Sequence, residues 1–404
     1  MLPRKHLLAS RGGCLIASLF CFVAGHSHAA TAKDLQQLSA ANTRFAFNLL
    51  KQVVAGQPET NVFISPYSVS TVLQMVATGA TGSTLKEMDQ ALSVSGLPAS
   101  VVNEGNRELG GILNNRNTNF ILTAANAVWY RSTLPVYASF LNGDARYYGA
   151  TAQGLDFSDP SASATINAWA AQETRGLITQ IVPAVIPADT EMYLANAVYF
   201  LGNWASPFNT NSTTDQGFQL DGGGTTTVPM MRQMGTFAYG VGDHFQILQL
   251  PYQGGDLSMY VFLPDPGVSL TKLMGQMTGA WWRQAIPMGL TPQWGLVELP
   301  RFNLECPTDL KPPLQALGMK TAFTLHANFA KISPVPLRIS SVTQKAVVQV
   351  NEVGTVAAAV TTIGVIATAI LSPTYEFIAD HPFLFVIQDQ QAGTALFMGA
   401  VFNP

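Results

Sequence analysis

Between Val353 and Pro373 the chain reads VGTVAAAVTTIGVIATAILSP, without one charged side chain. So long an apolar run close to the end of a chain has two physical outlets. It can cross a bilayer as a helix, which takes about 20 apolar residues, or it can become a strand buried on both faces. Alanine, valine, isoleucine and threonine fill it and glycine interrupts it. The β-branched residues favour the pleated surface of a sheet. Alternation would place Thr355, Ala357, Ala359, Thr361 and Ile363 on one face, and Val356, Ala358, Val360 and Thr362 on the other. The leading side chains are small enough to pack on both faces of a sheet without overpacking. No proline breaks the ladder before Pro373, and no charge would have to be buried.

The rest of the chain has the material for a large core. Of 404 residues, 48% are hydrophobic and 11% charged, which argues against disorder. A net charge of −3 supplies no electrostatic reason to bind nucleic acid. The N-terminus reads as an export signal. Arg4, Lys5 and Arg11 precede or flank the apolar run CLIASLFCFVAG, and SHA at Ser27 to Ala29 has the small-x-small form of a cleavage site. The expectation is a leader over residues 1–29, then one domain over 30–404 that is secreted or periplasmic, monomeric, and free of the membrane once the leader is removed. Cys14 and Cys21 lie in that leader, leaving only Cys306. With no internal disulfide available, the domain must stand on packing.

Apolar positions at helical spacing predict a helix over 34–56. NVFISPYSVSTVLQMVATGATG predicts a short strand, a turn at Ser65 and Pro66, and a helix ending near Gly79. GSTLKEMDQAL predicts a further helix, with capping-box spacing at Thr84 and Glu87. Strands are predicted in NFILTAANAVWY, in TEMYLANAVYFLGNWASPF, and over 226–239, 245–251 and 256–263. GLVELPRFNLEC reads as one strand, and KAVVQVNEVG, HPFLFVIQD and ALFMGAVFNP as the last ones. ATINAWAAQETRGLI reads as helix, and DLKPPLQALGM as a short helix broken by its prolines. Helices lead and strands dominate later, without βαβ alternation. That predicts an α+β architecture in one large domain.

Catalytic motifs are sparse. Beyond the leader the histidines are His244, His326 and His381, and none forms an H-x-x-x-H or H-E-x-x-H pair. There is no G-x-S-x-G elbow and no phosphate-binding glycine loop. STLK, from Ser83 to Lys86, matches the S-x-x-K pattern in which a lysine activates a serine. Its S-D-N and K-T-G companions are missing, and the tetrapeptide reads as a helix start. The expectation is a protein that is not an enzyme and carries no metal or cofactor.

Six stretches carry a family resemblance. YEFIADHPFLFVIQDQQAGTALFMGAVFNP strongly resembles the C-terminal signature of the serpins. NVFISPYSVSTVLQMVATGATGSTLKEM, INAWAAQETRGLI, LANAVYFLGNWASPF, LPRFNL and LGMKTAF are similar to serpin segments and run in serpin order from about residue 35 to 404. The resemblance implies one domain with three β-sheets, eight or nine helices and an exposed reactive-centre loop at about 353–373. In an inhibitory serpin that loop is bait. A target serine or cysteine protease cleaves it, forms an acyl-enzyme, and is trapped when the cleaved loop enters the main sheet as a new strand.

The resemblance also assigns roles. Glu352, Gly354, Thr355, Ala357, Ala358 and Ala359 match an inhibitory hinge, with Val356 standing where glutamate is usual. Ser65, Ser68 and Asn196 match the polar cluster beneath the strands that part. Gln344 stands where many members have histidine, and its amide can also donate and accept. Trp204 matches the tryptophan where insertion begins, and Arg301 with Glu352 a basic–acidic pair at that entrance. Fourteen residues beyond Gly354 the bait bond falls at Thr368–Ala369. Gly354 and Pro382 stand 28 residues apart, longer than is common, so Ala367, Ile370 and Leu371 stay open as alternatives. All are small or aliphatic. That disfavours a trypsin-like pocket and fits elastase-like or subtilisin-like partners. A non-inhibitory serpin acting as a binding or storage protein is the alternative.

Overall fold

The computed structural model describes residues 31–114, 120–355 and 372–404. Helix α1 (Ala32–Gly56) starts where Thr31 and Asp34 cap each other. The Asp34 N–H donates to Thr31 Oγ1 at 3.2 Å, and the Thr31 N–H donates to Asp34 Oδ2 at 2.9 Å. Strand β1 (Val62–Ile64) leads into α2 (Pro66–Ala77), with Ser65 as N-cap and Pro66 at the first helical position. Every residue of α2 is buried, so tertiary packing rather than propensity holds its valines and threonines in a helix. Next come α3 (Gly82–Ala91), α4 (Ala99–Asn114), β2 (Phe120–Arg131), α5 (Ala138–Tyr148), β3 (Thr151–Leu155) and α6 (Pro160–Glu173). Strands then dominate: β4 (Met192–Asn203), β5 (Thr214–Gln219), β6 (Thr225–Gly242), β7 (Phe245–Pro251) and β8 (Leu257–Pro264). Helices α7 (Leu270–Gln276) and α8 (Gly279–Gly289) precede β9 (Thr291–Pro300), β10 (Phe302–Asp309) and α9 (Lys311–Ala316). The chain closes with β11 (Thr343–Val350), β12 (Gly354–Thr355), β13 (Tyr375–Ile378), β14 (Phe383–Asp389) and β15 (Thr394–Val401).

Three local expectations are corrected. GLVELPRFNLEC is two strands: β9 pairs with β6 and β13, whereas β10 pairs with β11 in another sheet. Arg301 is the joint between them. The segment stays apolar on both sides of the joint, with Val297 and Leu299 before it and Phe302 and Leu304 after it, so composition does not register the change of sheet. Thr84 and Glu87 form no capping box, because α3 starts at Gly82 with Thr81 in the cap position. They tie down distant chain instead. Thr84 Oγ1 accepts from the Asn328 N–H at 2.9 Å, and Glu87 Oε2 accepts from the N–H groups of Lys320 and Thr321 at 2.8 and 2.6 Å. Pro312 and Pro313 do not break α9; they sit in its first turn, where a missing N–H costs nothing.

Two hydrogen-bonded ladders result. One has six strands in the order β10-β11-β12-β4-β2-β3. The other has nine, in the order β1-β15-β14-β8-β7-β6-β9-β13 with β5 also on β6. The long β6 pairs with β9 through 230–239 and with β7 through 238–242, and so belongs to two sheets at once. The three sheets expected of the fold are the six-stranded one and these two parts of the nine-stranded one. With nine α-helices among the described residues, the architecture matches the expected serpin fold.

Both faces of β14 are buried. Leu384 and Val386 pack among the helices, while Phe383, Phe385 and Ile387 face the six-stranded sheet. There Phe385 lies 5.8 Å from the Phe63 ring and 5.4 Å from Phe302 of β10. On its outer face, the six-stranded sheet carries α6, through Ile166 and Ala162 against Ala127, Trp129 and Ala195. The sheet is therefore covered on both sides. Phe385 is 0% exposed and bridges the two sheets, so Phe385→Ala should cost about 3–5 kcal/mol. Urea unfolding of the two proteins measures this.

Candidate functional site

At one end of the six-stranded sheet the chain reverses between β11 and β12. Asn351 shapes the turn. Its Oδ1 accepts from the Val353 N–H at 3.0 Å and the Gly354 N–H at 3.3 Å, and its own N–H donates to the Gly354 carbonyl at 3.0 Å. The reversal seats Gly354 and Thr355 as a two-residue strand between β11 and β4. Thr355 is in register with Val350 on one side and with Gly202 on the other. A Cβ on Gly354 would lie 2.1 Å from the Gly202 carbonyl oxygen and 2.6 Å from Asn203 Cα, so only glycine fits there.

Trp204, which follows β4, clamps this turn. Its backbone N–H donates to the Val353 carbonyl at 2.8 Å and its indole Nε1 to the Asn351 carbonyl at 2.9 Å. The Phe208 N–H donates to the Glu352 carbonyl at 2.8 Å. The Glu352 side chain is buried, and Oε1 accepts from Arg301 Nε at 2.7 Å, from a second guanidinium nitrogen of Arg301, and from Thr213 Oγ1. Burial alone would push the Glu352 carboxyl up. The hydrogen bonds from Arg301 and Thr213 outweigh it and hold the group below its ordinary value of 4.5. The Arg301–Glu352 pair read from the sequence thus exists as a charge-assisted clamp beside the seated turn.

Further down the sheet, Ser65, Ser68 and Gln344 come together. Gln344 Oε1 accepts from the Ser65 N–H at 2.9 Å, while Nε2 donates to the Ser65 carbonyl at 3.2 Å and lies 3.5 Å from Ser68 Oγ. The amide donates and accepts here, as the sequence expects. Ser65 Oγ donates to the Leu396 carbonyl at 2.8 Å, which links α2 to β15. Asn196 lies in β4, paired in register with Asn126 of β2. Between Met192–Ala195 of β4 and Thr343–Lys345 of β11 runs a cavity of about 500 Å³, floored by Val69, Val72 and Leu73 of α2. Val356, Ala357, Ala358 and Ala359, and the bait candidates Ala367, Thr368, Ala369, Ile370 and Leu371, lie outside the described residues, as does the leader over 1–29. Among the described residues, no group of three or more His, Cys, Asp and Glu is placed to hold a metal, and no helix is long and apolar enough to cross a membrane.

Three participants escaped the sequence reading. Asn351 had a local signal, since asparagine before a glycine-containing turn favours an Asx turn. Thr213 and Tyr252, whose hydroxyl lies 2.8 Å from Thr355 Oγ1, had none. They reach the site from far away along the chain.

Comparison with known proteins agrees with this geometry. The family described as Serpin (serine protease inhibitor) matches residues 40–404. A leukocyte elastase inhibitor from Bos taurus is 37% identical over 385 residues, 92% of this chain and 100% of the relative. Among solved structures, the thermophilic serpin Tengpin in its native state superposes with a TM-score of 0.84 at 27% identity, covering 93% of this chain and 95% of its own. Human thyroxine-binding globulin in complex with thyroxine gives 0.83 at 29% identity, covering 92% and 99%. The chain belongs to the serpins.

Because the folded Glu352 carboxyl sits below 4.5, the clamp contributes stability at neutral pH and loses it as pH falls through the folded value. Arg301→Ala strands a buried carboxylate and should cost about 1–3 kcal/mol at neutral pH, the low end reflecting the half-exposed guanidinium. That deficit should shrink in acid as Glu352 protonates, and Glu352→Gln should flatten the acid limb. Urea titrations of the three proteins between about pH 3 and 7 measure both effects.

Proposed function

We propose that this serpin inhibits serine or cysteine endopeptidases by taking its own cleaved loop into the six-stranded sheet. One observation carries the reading. Gly354 and Thr355 are seated between β4 and β11 at one end of these strands, and a cleft lined by Met192–Ala195 and Thr343–Lys345 opens between the same two strands at their other end. The chain that follows Thr355 is uncharged through Pro373, which suits a strand with neighbours on both sides. Cleavage near Thr368 would leave the protease esterified to the new C-terminus. Entry of the freed strand into the cleft would drag the protease with it before water completes the hydrolysis.

The candidate bond residues are small or aliphatic, and the relatives include leukocyte elastase inhibitors. Both points support elastase-like or subtilisin-like targets, whose pockets accept uncharged side chains. The leader over 1–29 supports export before action, so the partners would be extracellular or periplasmic. Sequencing the N-terminus of the protein recovered outside the expressing cell should give a start near Ala30. A full-length N-terminus retained with the membrane rejects export of a cleaved form.

Mixing the protein with elastase-like and subtilisin-like enzymes should yield an SDS-stable complex and a cut near residue 368. Complete turnover without a complex overturns the inhibitory reading. It would favour the binding-protein alternative, for which loop cleavage should barely change thermal stability. Thr355→Arg should still be cleaved but form no complex, because Thr355 is 1% exposed and the change puts a charge inside the sheet.

A further inference from the structure

Tyr252 follows β7 at the turn into β8 and is completely buried. Its ring is fixed on two sides. The Trp204 indole stacks on it with centroids 4.7 Å apart and planes at 16°, and Phe200 meets it edge-on at 5.0 Å and 82°. A Cβ on Gly202 would come within 2.7 Å of the Phe200 ring and 2.9 Å of the Tyr252 ring, so glycine there leaves room for both. The phenol is thereby aimed at one place. Its oxygen lies 2.8 Å from Thr355 Oγ1, and either hydroxyl can be the donor. Burial pushes the phenol far above its ordinary range, so it remains a neutral O–H.

The partner is what makes this contact informative. Thr355 is buried in the six-stranded sheet and directly precedes the uncharged stretch that runs to Pro373 in the sequence. Backbone pairing alone would leave its hydroxyl without a partner in the interior, at a cost comparable to a lost hydrogen bond. We infer that Tyr252 is a positioning residue that keeps Thr355 docked between β4 and β11 in the uncleaved protein, so that strand entry starts from a residue already in place. The inference rests on the inhibitory reading for its consequence. A loop that starts docked completes insertion before deacylation more often, so fewer inhibitor molecules are consumed per protease trapped. It rests on geometry alone for the docking itself.

Two readouts separate these. The first is amide exchange of the segment 351–355, which needs no protease. Tyr252→Phe keeps the ring stack and removes the hydroxyl; Thr355→Val keeps the branched shape and removes the partner. Each should speed exchange about threefold to tenfold, the value of one buried hydrogen bond. The double variant should add nothing to either single one, and Thr355→Ser should match the wild type. The second readout is the number of inhibitor molecules consumed per protease trapped, which should rise several-fold in Tyr252→Phe and Thr355→Val but not in Thr355→Ser. Unchanged exchange in Tyr252→Phe, or additive effects in the double variant, overturns the docking role. Faster exchange with an unchanged stoichiometry overturns the consequence for trapping. A wild type that is cleaved without forming a complex overturns the inhibitory reading instead, and exchange still decides whether Tyr252 holds Thr355.

Discussion

Backbone hydrogen bonding is the constraint on which this structure turns. β4 and β11 are interior strands whose outer edges are taken by β2 and β10. Their facing edges meet through Gly354 and Thr355 at one end, and a cleft opens between them at the other, beside Met192–Ala195 and Thr343–Lys345. Buried N–H and C=O groups demand partners, and the seated Gly354 and Thr355 supply them where the two edges face each other. The surrounding layers keep it from collapsing. α2 lies fully buried behind it, α6 covers its outer face, and the phenylalanines of β1, β10, β14 and β15 fasten it to the other sheet.

Two fasteners of different chemistry hold β11 and the turn after it to their surroundings, and their placement follows from dielectric. The charged one, Arg301 on Glu352, sits at the rim, where the guanidinium keeps much of its hydration and the cost of desolvation stays small. The one further inside is neutral. Gln344 spans Ser65 and Ser68 with a single amide, which satisfies buried backbone groups without bringing in a charge. Breaking such a contact costs about as much as breaking a few ordinary hydrogen bonds. Among the described residues nothing covalent stiffens the assembly: Cys306 is a free, buried thiol whose pKa burial raises.

Much of the architecture was legible because it rests on local signals. Capped helices, alternating strands and the proline after Ser65 are properties of neighbouring residues. So are the small residues after Gly354. The exceptions are instructive. Arg301 looked like the middle of one strand because apolar residues continue on both sides of it, yet the chain changes sheets there. Thr84 and Glu87 had the spacing of a cap but hold a segment more than two hundred residues away. In each case the local pattern was real, and a long-range partner determined its use.

The sequence by itself determined that this chain forms an α+β serpin domain, that Arg301, Glu352, Trp204, Ser65 and Gln344 are worth watching, and that the stretch from Val353 to Pro373 can be buried as a strand. Those conclusions need only composition, spacing and resemblance. Only the tertiary structure decided that Gly354 and Thr355 are already in the sheet, that Thr213 shares the Glu352 carboxylate, and that the Tyr252 hydroxyl meets Thr355. The reason is distance along the chain. A hydrogen bond between residues a hundred positions apart leaves no period and no spacing in the sequence, and the packing of two sheets creates it.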